Sequence, residues 1–201
     1  MLGHERFFVA GHDRGARVGY RLALDRPDAI ARLAVLDVVP TLDMWEGMSR
    51  DLALGSYHWL FLAQPAPLPE RLIGRDPDFY LHHLLDRWGA PGALDPLAVA
   101  HYERHFRKAS VIQAACEDYR AGATVDLEDD RADRKRGQTV GCPMLLVWGR
   151  RYLPAKSESP LNVWRLWAGD VREVGLDCGH FVAEERPDEC AAALEQFFGE
   201  A

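Results

Sequence analysis

The sequence predicts an α/β fold, a mainly parallel sheet interrupted by an inserted helical lobe. Three observations carry this expectation. The apolar run 7–10 breaks at Gly11-His12-Asp13-Arg14-Gly15 and resumes with helical spacing at Val18, Leu22 and Leu24, which reads as strand, sharp turn, helix. A second apolar run, 33–39, carries a carboxylate, Asp37, near its end. Residues 41 to about 137 then change to aromatic, amphipathic segments, after which strand patterns return.

Taken in order, Arg26-Pro27-Asp28 stops the first helix and leads into the strand at 33–39. Strand, helix, strand in this order implies a parallel pair joined by a right-handed crossover. Segments 45–63, 77–88, 96–106 and 111–121 are expected as helices, with a proline-rich joint at Gln64-Pro65-Ala66-Pro67-Leu68-Pro69. These form an expected helical cap over residues 42–137, inserted into a core made of residues 1–41 and 138–201. Residues 142–149 read as a strand running into a glycine turn, and 171–174 as a short strand. A loop holding Cys178-Gly179-His180-Phe181 and a closing helix at 187–198 complete the chain. No internal repeat is visible.

The composition narrows the function classes. With 201 residues, 48% hydrophobic and 27% charged, the chain suits one globular domain with an inserted lobe. A net charge of −7 argues against a nucleic-acid surface, and the densest basic cluster, 131–136, is interrupted by Asp133. No apolar run approaches the roughly 20 residues that span a bilayer. The start MLGHERFF lacks the basic and apolar parts of a signal peptide, so a cytoplasmic location is expected. Cys116, Cys142, Cys178 and Cys190 have no paired metal-ligand spacing, so reduced and mostly buried thiols are expected.

Glycines on both sides of one reactive residue are what a nucleophile elbow needs, because the strained turn leaves no room for side chains. Here the lifted residue is Asp13, and a carboxylate nucleophile forms an ester that water must then cleave. The same five residues also suit an ordinary strand-to-helix turn capped by Asp13. An ester on Asp13 needs a base for the water, and His180 is the candidate, since imidazole titrates near neutrality. Asp37 is the candidate to hold that imidazole in the right tautomer. Strands of a parallel sheet converge at their carboxyl ends, which would bring Asp13, Asp37 and His180 to one rim. His4, His82, His83, His101 and His105 read as surface or packing residues, and His12 as support for the turn.

Several motifs together resemble the fluoroacetate (haloacetate) dehalogenases of the α/β-hydrolase superfamily. They are Gly-His-Asp-Arg-Gly-Ala-Arg at 11–17, Leu-Asp-Val-Val-Pro-Thr at 36–41, Tyr57-His58-Trp59, the proline-rich joint, Cys116-Glu117-Asp118-Tyr119-Arg120-Ala121-Gly122 and Gly179-His180-Phe181. The resemblance implies an α/β-hydrolase fold with a helical cap. It implies that Asp13 displaces halide from the α-carbon of a small 2-haloacid and that His180, oriented by Asp37, activates water. By the same resemblance Arg14 and Arg17 match the pair that clamps the substrate carboxylate, and His58, Trp59 and Tyr119 match the halide cradle. Those residue types suit the chemistry: a guanidinium fork grips a carboxylate, and an imidazole, an indole N–H and a phenol supply three donors. No cofactor or metal is expected. The expected partners are a small anionic haloacid substrate, with no nucleic acid and no membrane, and a homodimer is kept open as the assembly.

Two departures from that family follow. Its elbow succeeds the fifth strand of an eight-stranded sheet, whereas here it lies at residue 13. The resemblance therefore implies a chain truncated at its N-terminus, without the early strands and the His-Gly loop that supplies one oxyanion donor. Only the N–H of Arg14 is then expected in that role, and losing one donor typically costs about a hundred- to a thousandfold in rate. Phe7, Phe8 and Val9 are expected to face water, making residues 1–201 aggregation-prone and poorly active alone. The second departure is Arg150-Arg151-Tyr152-Leu153-Pro154, where the family has a glycine-rich turn. Two alternatives stay open: an epoxide hydrolase of the same superfamily, and an inactive remnant.

Overall fold

The structure, a computed structural model, describes residues 3–152 and 159–200. Strand β1 (Phe7–His12) leads through Asp13 into helix α1 (Arg14–Asp25), and β2 (Ile30–Leu36) follows. Six helices come next: α2 (Thr41–Glu46), α3 (Arg50–Gly55), α4 (Tyr57–Leu62), α5 (Leu68–Ile73), α6 (Pro77–Trp88) and α7 (Pro96–Phe106). Helices α8 (Ala109–Ala123) and α9 (Val125–Arg136) precede β3 (Met144–Gly149), α10 (Leu161–Trp164) and β4 (Val171–Leu176). The short α11 (Val182–Glu185) and the closing α12 (Pro187–Gly199) end the described chain.

The four strands pair in the order β1-β2-β3-β4, all parallel. Apart from Arg32 in β2, strands β2 and β3 are apolar on both faces and mostly buried, as an inner parallel strand with cover on both sides must be. On one face α1 lays Ala16, Tyr20, Ala23 and Leu24 against the sheet. It can come that close because Gly19 has no side chain: a Cβ there would stand 3.2 Å from Leu33 and from Val9. Tyr20 meets Trp164 edgewise at 5.5 Å and Trp167 at a tilt at 6.0 Å. On the other face Ala34, Leu36, Leu145 and Val147 pack with Val182, Cys190 and Phe197 from α11 and α12. The four cysteines are free and buried.

The chain divides into two compact units, one made of the residues up to Pro40 and from Asp133 onward, the other of Thr41–Ala132. Helix α9 crosses the second boundary. Its last turn groups with the sheet unit, where Arg21 on α1 pairs with the buried Asp133. In the other unit the segment expected as one helix over 45–63 is broken into α2, α3 and α4. Ser49 accepts a hydrogen bond from the Leu52 N–H at 3.2 Å and so starts α3 afresh. Among the described residues no helix is long and apolar enough to cross a membrane.

Candidate active site

Asp13 sits between β1 and α1 with φ 47° and ψ −116°, in a region a side chain rarely adopts. Its carbonyl accepts from the N–H groups of Ala16 and Arg17 at 3.0 and 3.2 Å, which closes the turn. The turn is tight enough that a Cβ on Gly11 would lie 2.4 Å from the Gly15 carbonyl oxygen, so bulk at Gly11 is excluded by the approach of backbone to backbone. The Asp13 carboxylate makes no capping hydrogen bond to α1. It lies instead with Oδ2 3.7 Å from Nε2 of His180.

His12 and Leu36 are partners in the β1–β2 register, so Asp13 and Asp37 leave the ends of neighbouring strands side by side. Asp37 also has a positive φ, 56°, and its N–H reaches back to the Val147 carbonyl at 2.8 Å. Both of its carboxylate oxygens are used. Oδ1 accepts from the Gly149 N–H at 2.8 Å and Oδ2 lies 2.7 Å from Nδ1 of His180. A carboxylate only accepts, so Nδ1 carries a proton toward Asp37, and Nε2 faces Asp13. The loop holding His180 is drawn against the end of β3, where a Cβ on Gly149 would stand 1.9 Å from the Gly179 carbonyl oxygen. Glycine at 149 is required there by space.

The charges act on one another. Burial opposes protonation of His180, but Asp13 and Asp37 outweigh it and raise its pKa to about 9. Burial would raise the Asp13 pKa, yet His180 foremost, then Arg17 and His12, hold it well below the usual carboxylate range. Burial pushes the Asp37 carboxyl upward against the pull of His180 and Gly149. Burial, with His180 beside it, lowers the pKa of His12.

The structure therefore brings Asp13, Asp37 and His180 together within the sheet unit. Arg14 opens α1, half-buried, and Arg17 one turn later is buried and donates from its guanidinium to the Val39 carbonyl at 2.9 Å. The other unit gathers its own expected residues: His58 and Trp59 on α4 and Tyr119 on α8 are all buried. Tyr119 meets the rings of His58 and Trp59 nearly at right angles, at 5.5 and 5.7 Å. Trp88 lies 4.5 Å from His58. Sequence reasoning did not single out Glu185 or Tyr152, whose ring lies 4.4 Å from that of His180. Glu185 lies four residues beyond Phe181, a local spacing that a short helix leaves unmarked, whereas Tyr152 reaches His180 only through the fold. Of the departure at 150–154, Leu153 and Pro154 lie outside the described residues. Among the described residues no cluster of His, Cys, Asp and Glu is arranged to hold a metal ion.

Residues 1–187 match the family described as the alpha/beta hydrolase fold. The chain belongs to that family. This α/β hydrolase is 43% identical to the fluoroacetate dehalogenase of a Burkholderia sp over 202 residues, 100% of this chain and 66% of that protein. It is 29% identical to the soluble epoxide hydrolase of Corynebacterium sp. (strain C12), covering 98% of this chain and 68% of that one. Among solved structures it superposes on a protein from Nostoc sp PCC 7120, provisionally named an alpha/beta hydrolase, with a TM-score of 0.95 and 46% identity over 100% of this chain and 68% of the other. A Pseudomonas aeruginosa protein provisionally named an epoxide hydrolase gives a TM-score of 0.93 and 46% identity over 99% and 67%. The α/β-hydrolase chain thus spans about two thirds of the length of these relatives.

Proposed function

We propose that this hydrolase cleaves the carbon–halogen bond of a small 2-haloacid, such as fluoroacetate, through an ester on Asp13. The observation that carries the reading is a carboxylate, in place of a hydroxyl, held on the strained turn 3.7 Å from a histidine that a second carboxylate orients. A carboxylate attacks saturated carbon and leaves an ester whose hydrolysis restores it. Asp13 Oδ bonds to the α-carbon as the carbon–halogen bond breaks, and the halide leaves with the electron pair. Esterification removes one of the two charges that raise His180, which favours the neutral imidazole at the moment a base is needed. Nε2 then takes a proton from water, the hydroxide attacks the Asp13 carbonyl carbon, and the hydroxyacid departs with the proton that His180 returns. Arg14 and Arg17 are proposed to hold the substrate carboxylate, and His58, Trp59 and Tyr119 to donate to the departing halide. The 43% identity to a fluoroacetate dehalogenase supports this choice of substrate.

The test uses His180→Asn with chloroacetate. The variant is expected to form the ester and not hydrolyse it, so mass spectrometry finds a covalent adduct on the peptide holding Asp13. In labelled water, a single turnover of the parent is expected to leave the label in Asp13 and not in glycolate. An adduct elsewhere, or label in the first-turnover glycolate, overturns the mechanism. The 29% identity to an epoxide hydrolase favours a second reading with the same nucleophile and base. An adduct with styrene oxide and none with chloroacetate would select it. An adduct with neither would leave an inactive chain.

A further inference from the structure

We propose that Glu185 and His12 are positioning residues that brace the backbone on both sides of the base, and so aim His180 at the ester on Asp13. The proposal rests on the reading of His180 as that base. His180 sits in the connection between β4 and α11, and Asp37 can orient its ring only if the backbone carrying it is itself held. Glu185 is buried, 7% exposed, and its two oxygens divide between two amides. Oε2 accepts from the Gly179 N–H at 2.8 Å and Oε1 from the Phe181 N–H at 3.1 Å, the residues immediately before and after His180. A helix-capping role would account for Phe181, which precedes α11, but not for Gly179, which lies outside it. The His180 carbonyl, which also accepts from the Val182 N–H at 2.9 Å, is held from the other side as well. Nε2 of His12 lies 2.8 Å from the His180 carbonyl oxygen, and since a carbonyl only accepts, His12 donates. The two imidazole rings lie 4.5 Å apart. His12 is the last residue of β1 and the neighbour of Asp13, so this bond ties the backbone of the base to the strand that presents the nucleophile.

The variants are Glu185→Gln, which keeps the size, Glu185→Asp, which keeps the charge but not the reach, and His12→Gln. NMR titration of the His180 imidazole in the folded proteins reads its contact with Asp13 and Asp37 without any turnover. Its midpoint, about 9 in the parent, is expected to fall by roughly one unit or more in all three variants. An unchanged midpoint in folded variants overturns the brace. A fall in Glu185→Gln without one in Glu185→Asp would be an effect of charge alone, and overturns it too. With chloroacetate, the variants are expected to accumulate ester on Asp13, its hydrolysis slowed about tenfold or more while its formation changes little. Adding Glu185→Gln to His180→Asn should slow hydrolysis no further. Ester in His180→Asn with no accumulation in the brace variants overturns the brace and leaves the dehalogenase reading standing. No ester in His180→Asn overturns that reading, while the titration still decides the brace.

Discussion

His180 couples stability to pH near neutrality. Its pKa of about 9 in the folded protein exceeds the ordinary value of 6.5, so folding takes up a proton between those limits. The stability it contributes is fully present below about pH 6.5 and is lost as pH rises through 9. If the whole shift is realised it is worth roughly 3 kcal/mol. The expected outcome is a melting temperature that falls between about pH 6.5 and 9, measured by calorimetry, and a flatter profile over that window in His180→Asn. A parent profile as flat as the variant's would mean that His180 is not paired with Asp13 and Asp37 in solution. Neighbouring residues differ in how plainly they are written. Gly11-His12-Asp13-Arg14-Gly15 announces its turn, although of its two glycines only Gly11 is demanded by a close backbone approach, and a Cβ on Gly15 would meet open space. Glu185 announces nothing, because a glutamate in a short helix near the end of a chain has many ordinary uses.

Helices α4 and α8 carry His58, Trp59 and Tyr119 into one aromatic cluster, with Trp45 packed edgewise on Trp59 at 5.5 Å. The Trp45 indole N–H is already engaged by the Gly122 carbonyl at 2.8 Å, which leaves that ring a packing role. If Trp59 and Tyr119 donate to a departing halide, removing a donor should slow the release of fluoride more than that of chloride, because fluoride concentrates its developing charge. Trp59→Phe and Tyr119→Phe are expected to lower the ratio of fluoroacetate to chloroacetate turnover by about tenfold each. Equal losses on both substrates would reduce these residues to shaping the cluster. The helices also separate what periodicity reveals from what it hides. Helices α6 and α7 begin at Pro77 and Pro96 after Asp76 and Asp95, whose carboxylates accept from the first-turn N–H groups, and these starts are legible as sequence. Helix α9 is not, since most of its residues are charged and it reads as a solvated cluster. Only contacts explain it: Asp130 is wholly buried and accepts the Leu42 N–H at 3.1 Å, and Asp133 pairs with Arg21 and Arg136.

The described sheet has β1 at one edge, with Phe7 39% and Phe8 44% exposed. Of the three residues expected to face water, Val9 is drawn under α1 beside Gly19, and Phe8 stacks on Phe198 of α12 at 5.1 Å. An exposed apolar edge is a template for pairing with another chain. Residues 1–201 are therefore expected to self-associate on size-exclusion chromatography with light scattering, and Phe8→Lys to reduce it, since an edge lysine opposes strand addition. A monodisperse parent with a cooperative melt would mean that Phe198 and α12 protect the edge well enough. The sequence alone determined the features whose causes are local. Runs of apolar residues specify buried strands, glycines specify the turn at Asp13, and proline after aspartate starts helices. The chemical types Asp13, Asp37 and His180 were legible for the same reason, each following a strand that could be read. Tertiary structure alone decided which atoms meet: the division of the Asp37 oxygens between Gly149 and His180, the burial of Asp130 and Asp133, and the hold of His12 on the backbone of the base. These are hydrogen bonds and ion pairs between groups that the folded backbone brings together, and such contacts leave no period in the chain.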